Sequence, residues 1–452
     1  MSVGGLSLPD GRSRRVKPLD PTARERRSVW GGRLRVAGVL RAALIVLLTG
    51  NLLRLPALTT GAHEAPLSVN DVAVLVLLGT GLAAILQSRR LVVDGVTRRA
   101  LAFALVGAGS AVLAVPRFGL SGHELLFSLA YLARWVAYLG VYVVAVNCLE
   151  RRDASQVFRA LENIILAFAL FGIVQSAFLP GFAQLVYPDS EAYVDWDLQG
   201  HRLVSTFLDP NFAGAFICIG LVCALSRMTC GERVSGWRVG ALATALLLTA
   251  SRSSILAALV GLGVVALVKG ISRRVARILV VLGGLVIAAL PLLAAFARQY
   301  GKLSVDASAL SRLVSWLRAI RMFADHWLIG VGFNTYGFAQ RAYGFEAGRA
   351  SFDFSLDGGL LFIAVMTGVV GTGVYIAMLW FMARRARSVW RSGGALPVER
   401  AAAVAAVAST AALLVHSLFV NSLLLPFLME PLWILWALPI AAQRAVRAEE
   451  RP

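Results

Sequence analysis

Charged residues are scarce in this sequence, and acidic ones are the scarcer kind. Asp, Glu, Lys and Arg make up 15% of the 452 residues, whereas 58% are hydrophobic. A soluble protein of this length could not bury so much apolar surface, so the composition predicts a polytopic membrane protein. We therefore assign the net charge of +19 to arginines that set membrane topology and face anionic lipid, and expect no nucleic-acid partner.

Cysteines and nucleotide-binding motifs are also scarce. The chain has four cysteines, all in apolar runs or near predicted cytoplasmic ends: Cys148, Cys218, Cys223 and Cys230. This placement argues against a disulfide framework and against a metal cluster. No Walker-type loop is present. Asp195 and Asp197 resemble a metal-binding D-x-D motif, but nucleotide sugars are absent on the side where they are predicted. We expect no metal and no cofactor.

Long apolar runs predict an all-α fold with about twelve transmembrane helices. Their expected ranges are 36–54, 69–87, 99–116, 125–148, 160–180, 211–228, 236–250, 254–270, 275–297, 357–382, 401–420 and 425–442. Every second connection is rich in arginine, which places those connections in the cytoplasm. Residues 1–35 and 443–452 are then cytoplasmic tails, without a cleavable signal peptide, and 36–442 form one transmembrane domain.

Two long connections, about 181–210 and 298–356, are predicted to face the periplasm. The second contains an apolar stripe at helical spacing, which predicts an amphipathic helix in the membrane interface: Leu313, Trp316, Leu317, Ile320 and Phe323. All five histidines also map to the outer half. Polar chemistry is therefore concentrated where ATP is absent, which argues against a nucleotide-driven enzyme.

Several polar residues near the predicted outer mouth are candidates for binding an anion. Arg202 and His201 precede Asp209-Pro210-Asn211, which is typical of a helix start. An arginine beside a helix N-terminus suits a phosphate group. Arg252 lies in a very short outer turn among serines, where the alternative is an arginine that snorkels to the interface.

The long loop and the spans add further candidates. Tyr336 and Arg341 lie in a Gly- and aromatic-rich stretch suited to stacking on a sugar, although interfacial aromatics need no such role. Arg349 follows it. Arg134 and Glu430 lie within spans, where charges are costly and usually functional. The alternative is that these two simply pair with each other.

The order of these motifs resembles the O-antigen ligase and polymerase superfamily of bacterial inner membranes. The resemblance covers roughly residues 160–440: Arg202 separated by six residues from the Asp-Pro-Asn triplet, Ser251-Arg252 between two spans, Arg312 and Trp316 in the large loop, then "GVGFNTYG". It implies metal-independent glycosyl transfer at the periplasmic face of the inner membrane, from a saccharide on undecaprenyl diphosphate to a glycan or lipid acceptor. It is also compatible with a complex with other polysaccharide-assembly proteins.

One departure concerns the start of the helix after the large loop. The ligases carry a His-Asn pair there and a glutamate two residues before a glycine. Counted back from Gly368, these slots hold Asp357, Gly358 and Met366. This pattern is closer to the exopolysaccharide and O-antigen polymerases, so we favour a polymerase over a ligase.

The chemistry implied by the resemblance assigns roles to these residues. Arginines stay protonated and bind diphosphate bidentately, which suggests Arg202, Arg252, Arg312, Arg341 and Arg349 as donor-binding groups. A carboxylate or imidazole must take the acceptor proton. We expect Asp357 in this role, with His201 or His326 as alternatives, although Asp357 could instead merely cap its helix.

Two other functions are weighed against transfer. A flippase or exporter of lipid-linked sugars would need cations deep in a central cavity, and Arg134 is the main residue of that kind. No internal repeat with matched broken helices, expected of an inverted-repeat transporter, is visible. A purely structural scaffold would leave the outer arginines without a role.

Overall fold

The computed structural model describes residues 36–60, 63–89, 91–188, 201–268, 307–345 and 356–449. The predicted span 275–297, the D-x-D motif at 195–197 and Arg349 lie outside these residues, as do both terminal segments, 1–35 and 450–452.

The described part of the chain is built almost entirely of helices. The longer ones are α1 (Val36–Thr49), α2 (Val69–Ser88), α3 (Gly95–Phe118), α4 (Gly122–Cys148), α5 (Arg151–Phe178), α7 (Pro210–Thr229), α8 (Gly236–Leu248), α9 (Arg252–Val268), α10 (Ala307–Asp325), α12 (Gly359–Arg391), α13 (Pro397–His416) and α14 (Pro426–Glu449). Two short helices, α6 (Phe182–Val186) and α11 (Tyr336–Ala342), lie in the predicted loops.

Seven of the described helices are long and apolar enough to cross a membrane, namely α2, α3, α4, α5, α7, α12 and α13. The shorter helices α1, α8 and α9 are also apolar. The prediction of an all-α polytopic membrane protein is therefore confirmed at this level. Every predicted span except 275–297 overlaps one of the described helices.

One hairpin departs from the helical pattern in the described residues. Strand β1 (Arg54–Thr60) pairs antiparallel with β2 (His63–Ser68), which leads directly into α2. The register is irregular between Pro56 and Leu58, as expected where proline cannot donate to the ladder. The run predicted as 36–54 therefore ends its helix at Thr49, and the chain continues as a strand.

Helix α14 lies at the centre of the bundle, because both faces of residues 427–442 are buried. Its Trp433 packs on the neighbouring helix α4. The ring centroid of Trp433 lies 5.8 Å from Trp135 and 5.7 Å from Tyr142. A helix that is apolar all round is expected to be buried in this way.

Helix α12 is broken at Gly368, whose φ of 62° and ψ of −167° are not helical. In a regular helix the amides of residues 369 and 370 would donate to the carbonyls of 365 and 366. Here Val369 N donates to Trp327 O at 2.8 Å, and Val370 N donates to Leu328 O at 3.3 Å. A segment of the long loop therefore supplies the hydrogen-bond acceptors that the interrupted helix lacks.

The same segment also satisfies the freed carbonyls of α12. The amide of Val331 donates to Val365 O at 2.8 Å, and that of Gly332 donates to Met366 O at 3.1 Å. Non-helical backbone is tolerated at membrane depth when the surrounding protein supplies such bonds. A Cβ on Gly330 would lie 2.4 Å from the carbonyl carbon of Met366, so this insertion requires glycine.

Helix α10 forms where the amphipathic helix was predicted. Ala319 and Met322 are fully buried against the bundle, whereas Leu313, Leu317 and Ile320 are 52%, 60% and 52% exposed. Trp316 and Phe323 of the predicted stripe are half-buried against the core, so the stripe is divided between a protein-facing part and an outward-facing part. An outward apolar face beside arginines is typical of a helix that lies in a membrane interface.

Candidate active site

The start of α7 brings Asp209 and Arg202 to one end of the bundle. Asp209 is the N-cap: its Oδ1 accepts from the amides of Asn211 at 2.6 Å and Phe212 at 3.1 Å. Pro210 occupies the first helical position, where its missing N–H costs nothing. The predicted helix start is therefore confirmed.

Asp209 is buried, and the charges of two predicted site residues affect the pKa of its carboxyl. Burial raises the pKa of its carboxyl to about 6, the amides of Phe212 and Asn211 and the charge of Arg202 oppose the rise, and the charge of Asp357 adds to it. Asp209 therefore lies within electrostatic reach of both Arg202 and Asp357, although Asp357 is about 150 residues further along the chain.

Arg202 is held against the turn that precedes α9. Its Nε donates to Thr249 O at 3.0 Å, and the neighbouring amide of Leu203 donates to Leu248 O at 3.0 Å. Arg252, the first residue of α9, follows this turn and is exposed. Both arginines thus flank the same turn, as a shared anion site would require.

A chain of hydrogen bonds runs inward from this turn. Ser251 Oγ donates to Asn211 Oδ1 at 2.8 Å and lies 2.9 Å from Ser254 Oγ. Ser254 Oγ lies 3.1 Å from His416 Nε2, and His416 Nδ1 lies 2.5 Å from Ser422 Oγ. His416, Ser254 and Ser422 are fully buried. The chain ties the starts of α7 and α9 to the end of α13.

His416 is held on both sides within this chain. Ser254 Oγ donates to Asn211 O at 3.0 Å, and Ser422 Oγ donates to Val420 O at 3.2 Å. Both ring nitrogens of His416 therefore contact hydroxyls that have further partners in the protein.

Asp357 stands at the start of α12 and is held by α10. Arg312 Nε lies 3.0 Å from Asp357 Oδ2, and the indole of Trp316 donates to the main-chain carbonyl of Asp357. Both side chains of the ion pair are partly exposed, 36% for Arg312 and 47% for Asp357. The N-cap of α12 is Gly358, with no side-chain cap. The alternative in which Asp357 caps the helix is therefore wrong.

The two glycines after Asp357 allow the connection 417–421 to approach closely. Gly358 has a φ of 132°, which side-chain-bearing residues rarely adopt. A Cβ on Gly359 would lie 3.3 Å from Asn421 Oδ1. That oxygen is buried and has no hydrogen-bond partner in the described part of the chain. We call the set Arg202, Asp209, Asn211, the turn 249–252, Ser254, Arg312, Asp357 and residues 416–422 the mouth cluster.

Other predicted residues lie apart from the mouth cluster. Arg341 forms an ion pair with Glu124 at the start of α4 and lies over the ring of Phe338. Arg134 pairs with Asp71 at 3.1 Å, and Glu430 accepts from Asn70. The structure thus gives Arg134 and Glu430 different partners from the predicted pairing of the two.

The remaining predicted residues that the structure describes are Tyr336, His326 and His201. Tyr336 is 2% exposed and packs edge to face on Phe362, so its ring is not available to stack on a sugar. His326 packs on Phe118 at 5.3 Å; burial and the charge of Arg117 lower its pKa. The side chain of His201 is exposed, and its carbonyl accepts from Ser176.

Sequence reasoning missed His416, Asn421 and Ser422. They belong to the stretch "HSLFVNS" between two apolar spans. Polar residues in a short connection on the arginine-poor side were the available signal. Within the described ranges no three His, Cys, Asp or Glu side chains form a group that could hold a metal ion. The expected metal independence stays a prediction.

Comparison with known proteins gives one family. The sequence profile of the O-antigen ligase family matches residues 239–376, and no curated protein sequence matches the chain. The matched segment contains Arg252, Arg312 and Asp357 of the mouth cluster, together with the break in α12. The motif-based resemblance to the O-antigen ligase and polymerase superfamily is therefore confirmed over residues 239–376.

Proposed function

We propose that this O-antigen ligase- or polymerase-type membrane enzyme transfers saccharide from an undecaprenyl-diphosphate donor at the periplasmic face, and that it acts as a polymerase. The observation that carries the proposal is the convergence of Arg202, Arg252 and the Arg312–Asp357 pair at one end of the bundle. Two of these regions lie within the matched family segment.

The arginines of the mouth cluster would bind the diphosphate. Arg202 and Arg252 flank one turn, and Arg312 approaches from the interfacial helix α10. Arginine binds phosphate oxygens through two parallel N–H groups and keeps its charge in a low-dielectric site. Arg349 is retained as a further donor-side candidate outside the described residues. Arg341 would have to leave Glu124 to contribute.

Asp357 would accept the proton of the acceptor hydroxyl. In a single displacement the acceptor oxygen forms a bond to the anomeric carbon as its proton passes to Asp357. The bond from that carbon to the diphosphate oxygen breaks, and undecaprenyl diphosphate leaves with the bonding electrons. The arginines stabilise the leaving group in the transition state, and the anomeric centre inverts.

The chain of hydrogen bonds through His416 would position the arginines and Asp357. It connects Asn211 and Ser251, beside the two arginines, to the connection that packs against the glycines after Asp357. Both ring nitrogens of His416 are engaged within the protein, so we assign it a positioning role. Supporting bonds of this kind keep reactive side chains in productive geometry.

The alternatives make different demands on the same residues. A ligase would use the slot of Asp357 in the same way but with a different acceptor. A flippase needs cations inside a central cavity, yet Arg134 is engaged by Asp71 in an ion pair. This pairing favours transfer over transport.

The test is to incubate the purified protein with an undecaprenyl-diphosphate oligosaccharide, with and without a candidate lipid acceptor. Lengthening of the donor glycan supports the polymerase, and glycan on a different lipid or protein supports the ligase. Movement of the intact donor across liposomes without a new glycosidic bond would overturn the proposal.

A further inference from the structure

A second polar cluster lies buried between α2, α4 and α14, apart from the mouth cluster. Asn70, at the start of α2, donates through Nδ2 to Glu430 Oε2 at 2.8 Å and to the hydroxyl of Tyr138 at 2.9 Å. Asn70 and Glu430 are 0% exposed and Tyr138 is 1% exposed. One amide therefore connects three helices where water is excluded.

The negative charge of Asp71 is balanced within this cluster. Its Oδ2 lies 3.1 Å from Arg134 Nη2, and its Oδ1 accepts from the hydroxyl of Tyr138 at 3.2 Å. Glu430, by contrast, receives its hydrogen bond from a neutral amide. If both carboxyl groups were ionised, two negative charges would share one arginine in a buried site, which is costly.

Two oxygen atoms of the cluster lack a donor. Asn70 Oδ1 and Glu430 Oε1 are buried and have no hydrogen-bond partner among the described residues. Buried polar atoms are almost always paired, so two orphaned acceptors on directly bonded side chains require an explanation. An ionised Glu430 offers none, because a carboxylate only accepts.

A single proton satisfies both atoms. Placed on Glu430 Oε1, it can be donated to Asn70 Oδ1, while Asn70 Nδ2 donates to Glu430 Oε2 as observed. The two side chains then form a cyclic acid–amide pair with two parallel hydrogen bonds. The second proton of Nδ2 remains directed to Tyr138. A metal cation could also be coordinated by the two unpaired oxygens, but it would add positive charge next to Arg134.

We propose that Asn70 and Glu430 form a proton-binding site in which Glu430 is a neutral carboxylic acid in the folded protein. The charged and titratable groups that face it are Asp71 from α2, and Arg134 and Tyr138 from α4. Loss of the proton would break the cyclic pair and set a second carboxylate beside Asp71. The contact between α2 and α14 therefore depends on this proton.

Infrared spectroscopy of the purified full-length protein tests the assignment. At neutral pH we expect the carbonyl band of a protonated carboxylic acid, shifted in D₂O. The band should be lost in Glu430→Gln and retained in Asp209→Asn, a control at another buried carboxyl. An identical band in wild type and Glu430→Gln would overturn the proposal.

A second variant covers the case in which Glu430→Gln does not fold. Asn70→Ala leaves the acid but removes its amide partner, so the carbonyl band should move to higher frequency. An unmoved band would contradict the pairing.

The same proteins distinguish a proton from a metal cation. The melting temperature of the wild type should fall at alkaline pH, whereas that of Glu430→Gln should not, because an amide pair has no proton to lose. The melting temperature of the wild type should be equal in sodium chloride and in choline chloride. Stabilisation by sodium that disappears in Glu430→Gln would show a cation site and overturn the proposal.

Discussion

Arg312 Nε lies 3.0 Å from Asp357 Oδ2, and this ion pair joins helix α10 to the residue just ahead of the N-cap of α12. The pair sits at the mouth of a membrane helix and is only partly buried, so an incoming diphosphate could take over Arg312. Asp357 would then be released toward the acceptor. The proposed donor site and the proposed base are thus linked by one contact.

The role of Asp357 can be tested by an isosteric change. Asp357→Asn should retain the hydrogen bond from Trp316, which reaches the main-chain carbonyl, and should preserve the fold. Turnover should fall by roughly 10²–10⁴-fold, the usual loss for a general base. The measurement is the initial rate of glycan transfer by well-expressed, detergent-purified variants.

Asp357→His serves as the matched variant, because the resembling ligases carry histidine at this slot. We expect it to retain more activity than Asp357→Asn. Equal rates in the wild type and both variants would exclude a proton-transfer role for this residue.

The buried carboxyl of Asp209 should make folding stability depend on pH. Its pKa is raised from 3.8 to about 6, so between these values the folded state binds more protons than the unfolded state. Its contribution to stability is present below pH 4 and is lost as pH rises through about 6. Asparagine caps helices as well as aspartate does, so Asp209→Asn should remove this dependence.

Thermal unfolding in detergent between pH 4 and 7 checks the prediction. The difference in melting temperature between Asp209→Asn and the wild type should grow in favour of the variant as pH rises. A difference that is constant across the range would contradict the raised pKa.

The break in α12 predicts opposite effects for two glycines in the same helix. Gly368 has a φ of 62°, and a Cβ there would lie 2.3 Å from the carbonyl carbon of Leu328. Gly368→Ala should destabilise the protein by more than the ~1–3 kcal/mol that this sparsely populated backbone conformation alone costs. At Gly373 nothing lies within 4 Å of an added Cβ, so Gly373→Ala should be neutral or stabilising by up to about 1 kcal/mol. Melting temperatures of the two variants decide the matter; equal values would mean that the loop does not enter the helix.

The proposed orientation predicts which positions an impermeant thiol reagent reaches in intact cells. Cys230, the half-buried native cysteine, is first replaced by serine. A cysteine at the exposed Ala342 should then be labelled, and one at Gly393 should be protected until the membrane is permeabilised. Labelling of Gly393→Cys in intact cells would reverse the orientation.

The helices could be predicted because lipid demands about 20 consecutive apolar residues per span, and the sequence supplies such runs. The break in α12 could not, since its hydrogen bonds come from residues 327–332, about 40 positions away. Local sequence around Gly368 is apolar and helix-compatible. Only the hydrogen bonds with residues 327–332 show that the helix is interrupted at this glycine.

The candidate site divides in the same way. Arginines on the arginine-poor side drew attention to Arg202 and Arg252, and the structure places both beside the turn 249–252. The ion pairs of Arg341 with Glu124 and of Arg134 with Asp71 could not be predicted. Both acidic residues lie at the starts of other helices, and no sequence pattern links them to these arginines. His416 was overlooked because it ends a long apolar run, where a single histidine resembles ordinary core.

The most direct test of the central claim measures donor binding and transfer side by side in Arg252→Lys and Asp357→Asn. A lysine cannot reproduce the bidentate contact of arginine with phosphate, so Arg252→Lys should lose affinity for the undecaprenyl-diphosphate donor and transfer together. Asp357→Asn should bind the donor normally and lose transfer alone. Arg159, which is exposed and pairs with Glu232 at the opposite end of the bundle, provides the control: Arg159→Lys should match the wild type in both. Normal donor binding and transfer in Arg252→Lys, or loss of donor binding in Asp357→Asn, would contradict the account.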